Sequence, residues 1–178
     1  MIRVFLIGYM GAGKTTLGKI VARKLNLSFV DIDCFIENRF HKKIRDLFEE
    51  RGETGFRELE KKILHEVAEF ENVIISTGGG APCFFDNMDF MNQKGETIFL
   101  KVHPDILLRR LRVSTTSRPV LKDKTDEELH TFIVQTLEIR SPFYIQAQHI
   151  FNTDELENRW QIGEAACRLC DILKVSSI

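Results

Sequence analysis

The sequence lacks long apolar runs, has almost no net charge, and contains few cysteines. No stretch of its 178 residues approaches the roughly 18 apolar residues that a membrane-spanning helix requires. The formal net charge of −1, from 25 Lys and Arg against 26 Asp and Glu, provides no basic surface of the kind that binds nucleic acid. The first predicted strand already begins at Ile2, which argues against a signal peptide. We therefore expect a cytoplasmic protein with neither a nucleic-acid partner nor a membrane partner.

Of the four cysteines, only Cys167 and Cys170 form a CxxC pair. A zinc or redox site would need further ligands, and the sequence contains no second CxxC and no nearby histidine. Both residues fall in an apolar-periodic stretch from Glu155 to Val175, where cysteine behaves as a small hydrophobic residue. Packing is therefore favoured over metal binding, and free thiols agree with a cytoplasmic location.

Short apolar segments alternate with helical patterns along the whole chain. The predicted strands are Ile2 to Ile7, Ser28 to Ile32, Val73 to Ser76, Thr97 to Val102 and His149 to Asn152. Such alternation predicts an α/β protein in three layers, with a five-stranded parallel sheet between helices. No repeat, low-complexity segment or linker divides the sequence, so we predict one domain over residues 1–178.

A glycine-rich turn follows the first strand and precedes an amphipathic helix. Residues Gly8 to Thr15 fit the pattern G-x-x-x-x-G-K-[ST], in which backbone N–H groups surround nucleotide phosphates. In this pattern Lys14 reaches the β- and γ-phosphates and Thr15 can ligate Mg²⁺. A chance glycine turn is the alternative, but the flanking strand and helix favour a nucleotide site. No Asn is followed by Lys, which argues against a GTPase.

Two carboxylates lie at the end of the second predicted strand. Asp31 and Asp33 are two residues apart, so in an extended chain both would face the phosphate site. One could hold Mg²⁺ together with Thr15, through water, and the other could orient or deprotonate an attacking hydroxyl. The alternative is that Asp33 merely caps a helix beginning at Cys34.

Arg57 and Arg140 are candidates for binding a carboxylate, because a guanidinium group can donate two parallel hydrogen bonds to it. Taken singly, each is more often a solvated surface charge. Glu60 lies three residues after Arg57 and could hold it in place. The triplet Gly78–Gly80 after a buried strand suggests close approach of the backbone to a ligand, with a simple turn as the alternative.

From end to end, the sequence resembles the shikimate kinase family. The matching segments, in the family's order and spacing, are GYMGAGKTT, the DID after the second strand, FRELE, GGG, SRPVL, and RSPFY from Arg140 to Tyr144. The resemblance implies a P-loop kinase fold with a mobile lid at about 114–123 and a substrate-binding helical region at about 33–62. It further implies that shikimate and ATP are the substrates, with Mg²⁺ as cofactor, and that the protein is a monomer serving aromatic amino-acid synthesis.

The same resemblance implies a role for individual residues. It assigns ATP binding to Gly11, Ala12, Gly13, Lys14, Thr15, Thr16 and the lid residue Arg118. It assigns shikimate binding to Asp33, Arg57, Gly79, Gly80 and Arg140. Thr15 would bind Mg²⁺ directly, and Asp31 would lie beyond the ion's direct ligands. Lys14, Asp33 and Arg118 would be catalytic. The reaction implied is transfer of the γ-phosphate of ATP to the 3-hydroxyl of shikimate.

The sequence departs from the family pattern at one position. Family members often have an arginine against adenine seven residues before the lid arginine, and here that position is Leu111, between Arg110 and Arg112. Either Arg110 or Arg112 could take its place, so the adenine contact stays unassigned between these two candidates. Two alternatives remain for the function: a related gluconate or nucleoside-monophosphate kinase, and a non-catalytic nucleotide sensor that binds ATP without an acceptor.

Overall fold

Five parallel strands form one sheet in the order β2-β3-β1-β4-β5. The computed structural model describes residues 2–113 and 124–175; the predicted lid at 114–123, with Arg118, lies outside the described residues. The strands are β1 Arg3–Ile7, β2 Ser28–Asp31, β3 Val73–Ser76, β4 Glu96–Lys101 and β5 His149–Asn152. The prediction of a five-stranded parallel sheet is confirmed.

Helices connect the strands. In the described residues they are α1 Lys14–Leu25, α2 Ile32–Phe40, α3 Ile44–Val67, α4 Asn87–Lys94, α5 Pro104–Val113, α6 Asp126–Tyr144 and α7 Arg159–Val175, with a 3₁₀ turn at Ala81–Cys83. The α3 helix is interrupted at Gly52, where φ is 68° and ψ is 175°. This break separates the part of α3 that carries Arg57 from the first turns.

The side chains of β1 divide the interior into two cores. Val4 and Leu6 pack on one side with residues of α1, α5, α6 and α7. Phe5 and Ile7 point to the other side, where they meet residues of α2, α3 and α4. Because side chains alternate along a strand and helices cover both faces, β1 is apolar at every position after Arg3. The predicted three-layer arrangement is confirmed.

Several element boundaries differ from prediction: among the strands, β1 begins at Arg3 rather than Ile2, and β4 spans Glu96–Lys101 rather than Thr97 to Val102. The second strand ends at Asp31 rather than Ile32, because the Asp31 carboxylate accepts a hydrogen bond from the Cys34 N–H at 3.3 Å and so caps α2. Helix α7 begins at Arg159, not Glu155, since the Asn158 side chain accepts the Gln161 N–H at 2.9 Å. Helix α4 was not predicted.

The described residues also bear on the predicted absences. None of the described helices combines the length and apolar character needed to cross a bilayer. Within the same residues, no cluster of three or more His, Cys, Asp or Glu could hold a metal ion. Cys170 is buried in the core, as predicted, whereas Cys167 is exposed, so the packing prediction is confirmed for only one residue of the CxxC pair.

Candidate active site

The glycine-rich turn between β1 and α1 forms a loop that its glycines alone permit. Gly8 has a φ of 138°, and a Cβ atom there would lie 2.7 Å from the carbonyl oxygen of Leu100. Gly13, at the N-cap of α1, has a left-handed φ of 99°. Gly13 provides no side-chain cap to this helix, and the start of a helix favours binding of an anion such as a phosphate.

Lys14 and Thr15 lie at the start of α1 with polar contacts on opposite sides. The Lys14 ammonium donates hydrogen bonds to the carbonyl oxygens of Gly8 and Tyr9, at 2.7 and 3.0 Å. The Thr15 hydroxyl donates to Asp31 at 2.7 Å. Lys14 is thus held over the loop where phosphates would bind, and a hydroxyl and a carboxylate adjoin each other at the carboxyl end of β2.

Arg110 and Arg112, the two candidates for the adenine contact, point to different places. Arg110 donates to the carbonyl oxygens of Gly11 at 3.3 Å and Thr153 at 2.5 Å, and burial lowers its pKa. Arg112 instead binds Asp126 at 2.7 Å, at the start of α6. Of the two, it is Arg110 that adjoins the P-loop.

On the other side of the P-loop, α3 contributes a buried ion pair. Arg57 donates to Glu60 at 2.8 Å, and their side chains are only 10% and 2% exposed. The contact confirms that Glu60 holds Arg57, as the three-residue spacing predicted. Burial raises the pKa of the Glu60 carboxyl, and Asp33 raises it further, while Arg57 acts in the opposite direction.

The glycine triplet after β3 contacts every predicted acceptor-binding side chain. A Cβ atom on Gly78 would lie 2.6 Å from a carboxylate oxygen of Glu60 and 3.0 Å from one of Asp33. The same atom on Gly80 would lie 2.6 Å from a terminal nitrogen of Arg57. The missing side chains are therefore what allows these three charged groups to approach the backbone closely.

Gly79 lies between this cluster of charged side chains and the P-loop. A Cβ atom on it would lie 3.3 Å from Nη1 of Arg140 and 3.6 Å from the Met10 nitrogen. Its carbonyl oxygen accepts a hydrogen bond from the Tyr144 hydroxyl at 2.6 Å. Burial raises the pKa of Tyr144, so this hydroxyl remains a donor at neutral pH.

The structure thus assembles the predicted residues in two adjoining groups. Those predicted for ATP and Mg²⁺ lie on the P-loop and at its edge: Gly11, Ala12, Gly13, Lys14, Thr15, Thr16 and Asp31. Those predicted for the acceptor surround the glycine triplet: Asp33, Arg57, Gly79, Gly80 and Arg140. Arg118 lies outside the described residues.

Three further residues lie beside the second group and were not predicted individually: Gly78, Cys83 and Tyr144. Gly78 was treated only as part of a triplet, and Tyr144 only as part of a matching segment. Cys83 was not singled out; it is half-buried near Arg140 and Arg57, and burial raises its pKa to about 11. No local signal marks Cys83, whereas the position of Gly78 after a buried strand could have identified that glycine.

A P-loop beside a cluster of arginines and carboxylates, on a five-stranded parallel sheet, defines a P-loop kinase. The family model described as Shikimate kinase matches residues 10–169. The chain is 65% identical over 175 residues to shikimate kinase of Bacteroides thetaiotaomicron, covering 98% of this chain and all of that protein. It is 53% identical over 173 residues to shikimate kinase of Parabacteroides distasonis, covering 97% and 100%.

Solved structures give the same result. The crystal structure of the Bacteroides thetaiotaomicron shikimate kinase matches with a TM-score of 0.96 over 97% of this chain and 98% of that one. Acinetobacter baumannii shikimate kinase in complex with shikimate matches at 0.81 with 31% identity, over 98% and 94%. A gluconokinase from Sinorhizobium meliloti, at 0.60 and 16% identity over 99% and 98%, shares the fold. This chain belongs to the shikimate kinase family, and is an ATP-dependent kinase that acts on an alcohol.

Proposed function

We propose that this protein transfers the γ-phosphate of ATP to the 3-hydroxyl of shikimate, giving shikimate 3-phosphate and ADP for aromatic amino-acid synthesis. The observation that carries the proposal is the glycine triplet, which contacts Asp33, Arg57 and Arg140 and adjoins the P-loop. Shikimate is a compact acid with several hydroxyls. A site with two guanidinium groups and one carboxylate beside a phosphate loop matches that combination.

The acceptor side supplies positioning. Arg57 and Arg140 bind the carboxylate of shikimate, and the backbone of Gly79 and Gly80 lies against it. These contacts fix the ring of shikimate relative to the P-loop. Asp33 then accepts a hydrogen bond from the reacting hydroxyl and takes its proton as the oxygen attacks the γ-phosphorus. The bond between that phosphorus and the β,γ-bridging oxygen breaks, and the electron pair leaves with ADP.

The nucleotide side supplies charge stabilisation. Lys14, with Gly11 to Thr16 around it, binds the phosphates, and Arg118 joins them from the lid at 114–123. Mg²⁺ fits the oxygen pair at the end of β2: the Thr15 hydroxyl would bind it and Asp31, 2.7 Å from that hydroxyl, would hold it through water. Bound there, the ion would neutralise charge on the β- and γ-phosphates.

We also propose a domain organisation, an oligomeric state and a location for this protein. Residues 1–178 act as one kinase domain, in which residues 33–62 bind the acceptor and residues 114–123 close over the nucleotide. The protein works as a monomer in the cytoplasm. A closing lid would exclude water from the γ-phosphate and so limit wasteful hydrolysis.

A phosphorylation panel tests the proposal. ADP release is measured with shikimate, gluconate and nucleoside monophosphates as acceptors, with Lys14→Ala as the inactive control. We expect turnover with shikimate alone. Preferential turnover of gluconate or a nucleotide would replace the proposed acceptor, and ATP binding without turnover of any acceptor would indicate a sensor.

A further inference from the structure

The guanidinium group of Arg57 is surrounded by three aromatic rings. Its central carbon lies 4.3 Å from the ring centre of Phe84, 5.3 Å from that of Phe48 and 5.6 Å from that of Phe56. Phe48 and Phe56 stack on each other at 4.0 Å, so part of their role is in packing α3 on itself. Phe84 comes from another part of the chain and makes the closest contact.

Arg57 still has donor capacity that the protein does not use. Its Nη1 donates to Glu60 at 2.8 Å and its Nη2 lies 3.6 Å from a carboxylate oxygen of Glu53, while its buried Nε has no hydrogen-bond partner among the described residues. An unpaired buried donor is costly, which indicates that a ligand atom satisfies it. An aromatic ring holds a guanidinium through its π-face and takes none of the in-plane N–H donors. A carboxylate in the place of Phe84 would compete for those donors.

From this geometry we propose that Phe84 is a positioning residue: its ring holds Arg57 by a cation–π contact and leaves the Nε edge for the carboxylate of the acceptor. The inference rests on the proposed function, in which Arg57 binds shikimate. It adds a residue that touches Arg57 rather than the substrate, and whose effect should appear in acceptor affinity.

Hydrogen bonds of the neighbouring backbone hold Phe84 in position. The side-chain amide of Asn87 donates a hydrogen bond to the carbonyl oxygen of Ala81 at 2.8 Å. The backbone N–H of Asn87 donates to the carbonyl oxygen of Phe84 at 3.3 Å. The next residue, Phe85, has a φ of 53°, which is unusual for a bulky side chain. This turn sends the two adjacent rings in different directions: Phe85 is 55% exposed and lies near Lys61, while Phe84 meets Arg57.

Substitutions at Phe84 separate the ring's π-face from its volume. Phe84→Leu retains an apolar side chain without a π-face, and Phe84→Tyr retains the ring. We expect Phe84→Leu to raise the KM for shikimate by about 3- to 30-fold, the range of a cation–π contact. The KM for ATP should not change, and Phe84→Tyr should behave as the parent enzyme. Phe85→Ala is the matched control, since it removes the neighbouring ring from Lys61 and should leave every constant unchanged.

A double-mutant cycle with Arg57→Met tests whether Phe84 acts through Arg57. In that background Phe84→Leu should have no further effect on the KM for shikimate. If Phe84→Leu alone matches the parent enzyme, or raises both KM values equally, the inference is overturned while the proposed function stands. If Arg57→Met leaves the KM for shikimate unchanged, Arg57 does not bind the acceptor, and the proposed function of the site fails as well. Thermal unfolding of each variant shows that the fold is retained.

Discussion

A single methyl group on Gly80 should weaken acceptor binding without disturbing the fold. The backbone there has φ −88° and ψ −23°, which alanine adopts without strain. The added Cβ would lie 2.6 Å from Nη2, 2.8 Å from Nη1 and 2.9 Å from the central carbon of Arg57. Because all three distances are short together, the methyl group would press on the face of the guanidinium rather than on its edge.

The size of the effect follows from these distances. To restore an ordinary contact of 3.4 Å, the Arg57 guanidinium must move by about 0.8 Å. The buried pair with Glu60 and the three rings around Arg57 resist this shift, and a misplacement of about 1 Å in a binding group can cost about 100-fold. We therefore expect Gly80→Ala to raise the KM for shikimate by about 10- to 100-fold. The KM for ATP should not change.

The assay is steady-state kinetics with each substrate varied in turn, together with thermal unfolding. Gly163→Ala is the control: a Cβ atom there meets nothing within 4 Å, and alanine in α7 should add about 0.5–1 kcal/mol of stability with no kinetic effect. A Gly80→Ala enzyme with parental KM for shikimate would refute the reasoning, since it would mean that Arg57 can shift without consequence for the acceptor.

Three further substitutions test the remaining parts of the site. Lys14→Ala should lower kcat by at least about 10²-fold, because it removes a charge held over the phosphate loop; unfolding curves should match the parent. Asp33→Asn should keep ATP binding, measured by calorimetry, and lower kcat with shikimate by about 10²–10⁴-fold; a change in Mg²⁺ affinity alone would exchange its role with that of Asp31. Arg140→Lys should raise the KM for shikimate by about 10-fold, because lysine cannot make the paired hydrogen bonds. An equal change in the KM for ATP would contradict a carboxylate clamp.

The parts of the fold that depend on local pattern could be predicted. The bounds of β3 and β5 agree with the sequence prediction residue for residue, since each is a short apolar or β-branched segment between turns. The capping box that begins α7 was also present in the sequence, as Asn158 with Gln161 three residues later. Apolar spacing alone extends the predicted helix back to Glu155, beyond this cap. Helix α4 has only eight residues and two buried methionines, too few for a periodic signal.

Asp31 and Asp33 do not lie on one extended strand, contrary to the expectation from the sequence. Both were expected on one side of an extended strand. Instead the strand ends at Asp31, and Asp33 lies in the first turn of α2. Asp31 reaches Thr15, and Asp33 lies near Gly78. The hydrogen bond from the Cys34 N–H to Asp31 ends the strand and starts the helix at this point. Residue spacing cannot reveal which of the two carboxylates accepts it.

The proposed acceptor site could not be derived from residue spacing, because the sheet sets the distances between its parts. Strand β3 lies between β2 and β1, with Ser76 in register with Asp31 on one side and Leu6 on the other. The triplet that follows β3 is therefore fixed at the carboxyl ends of both neighbours. Residues far apart in sequence reach the same backbone segment only once this register exists. A site held by strand ends is more rigid than one held by loops, which suits a reaction that depends on positioning.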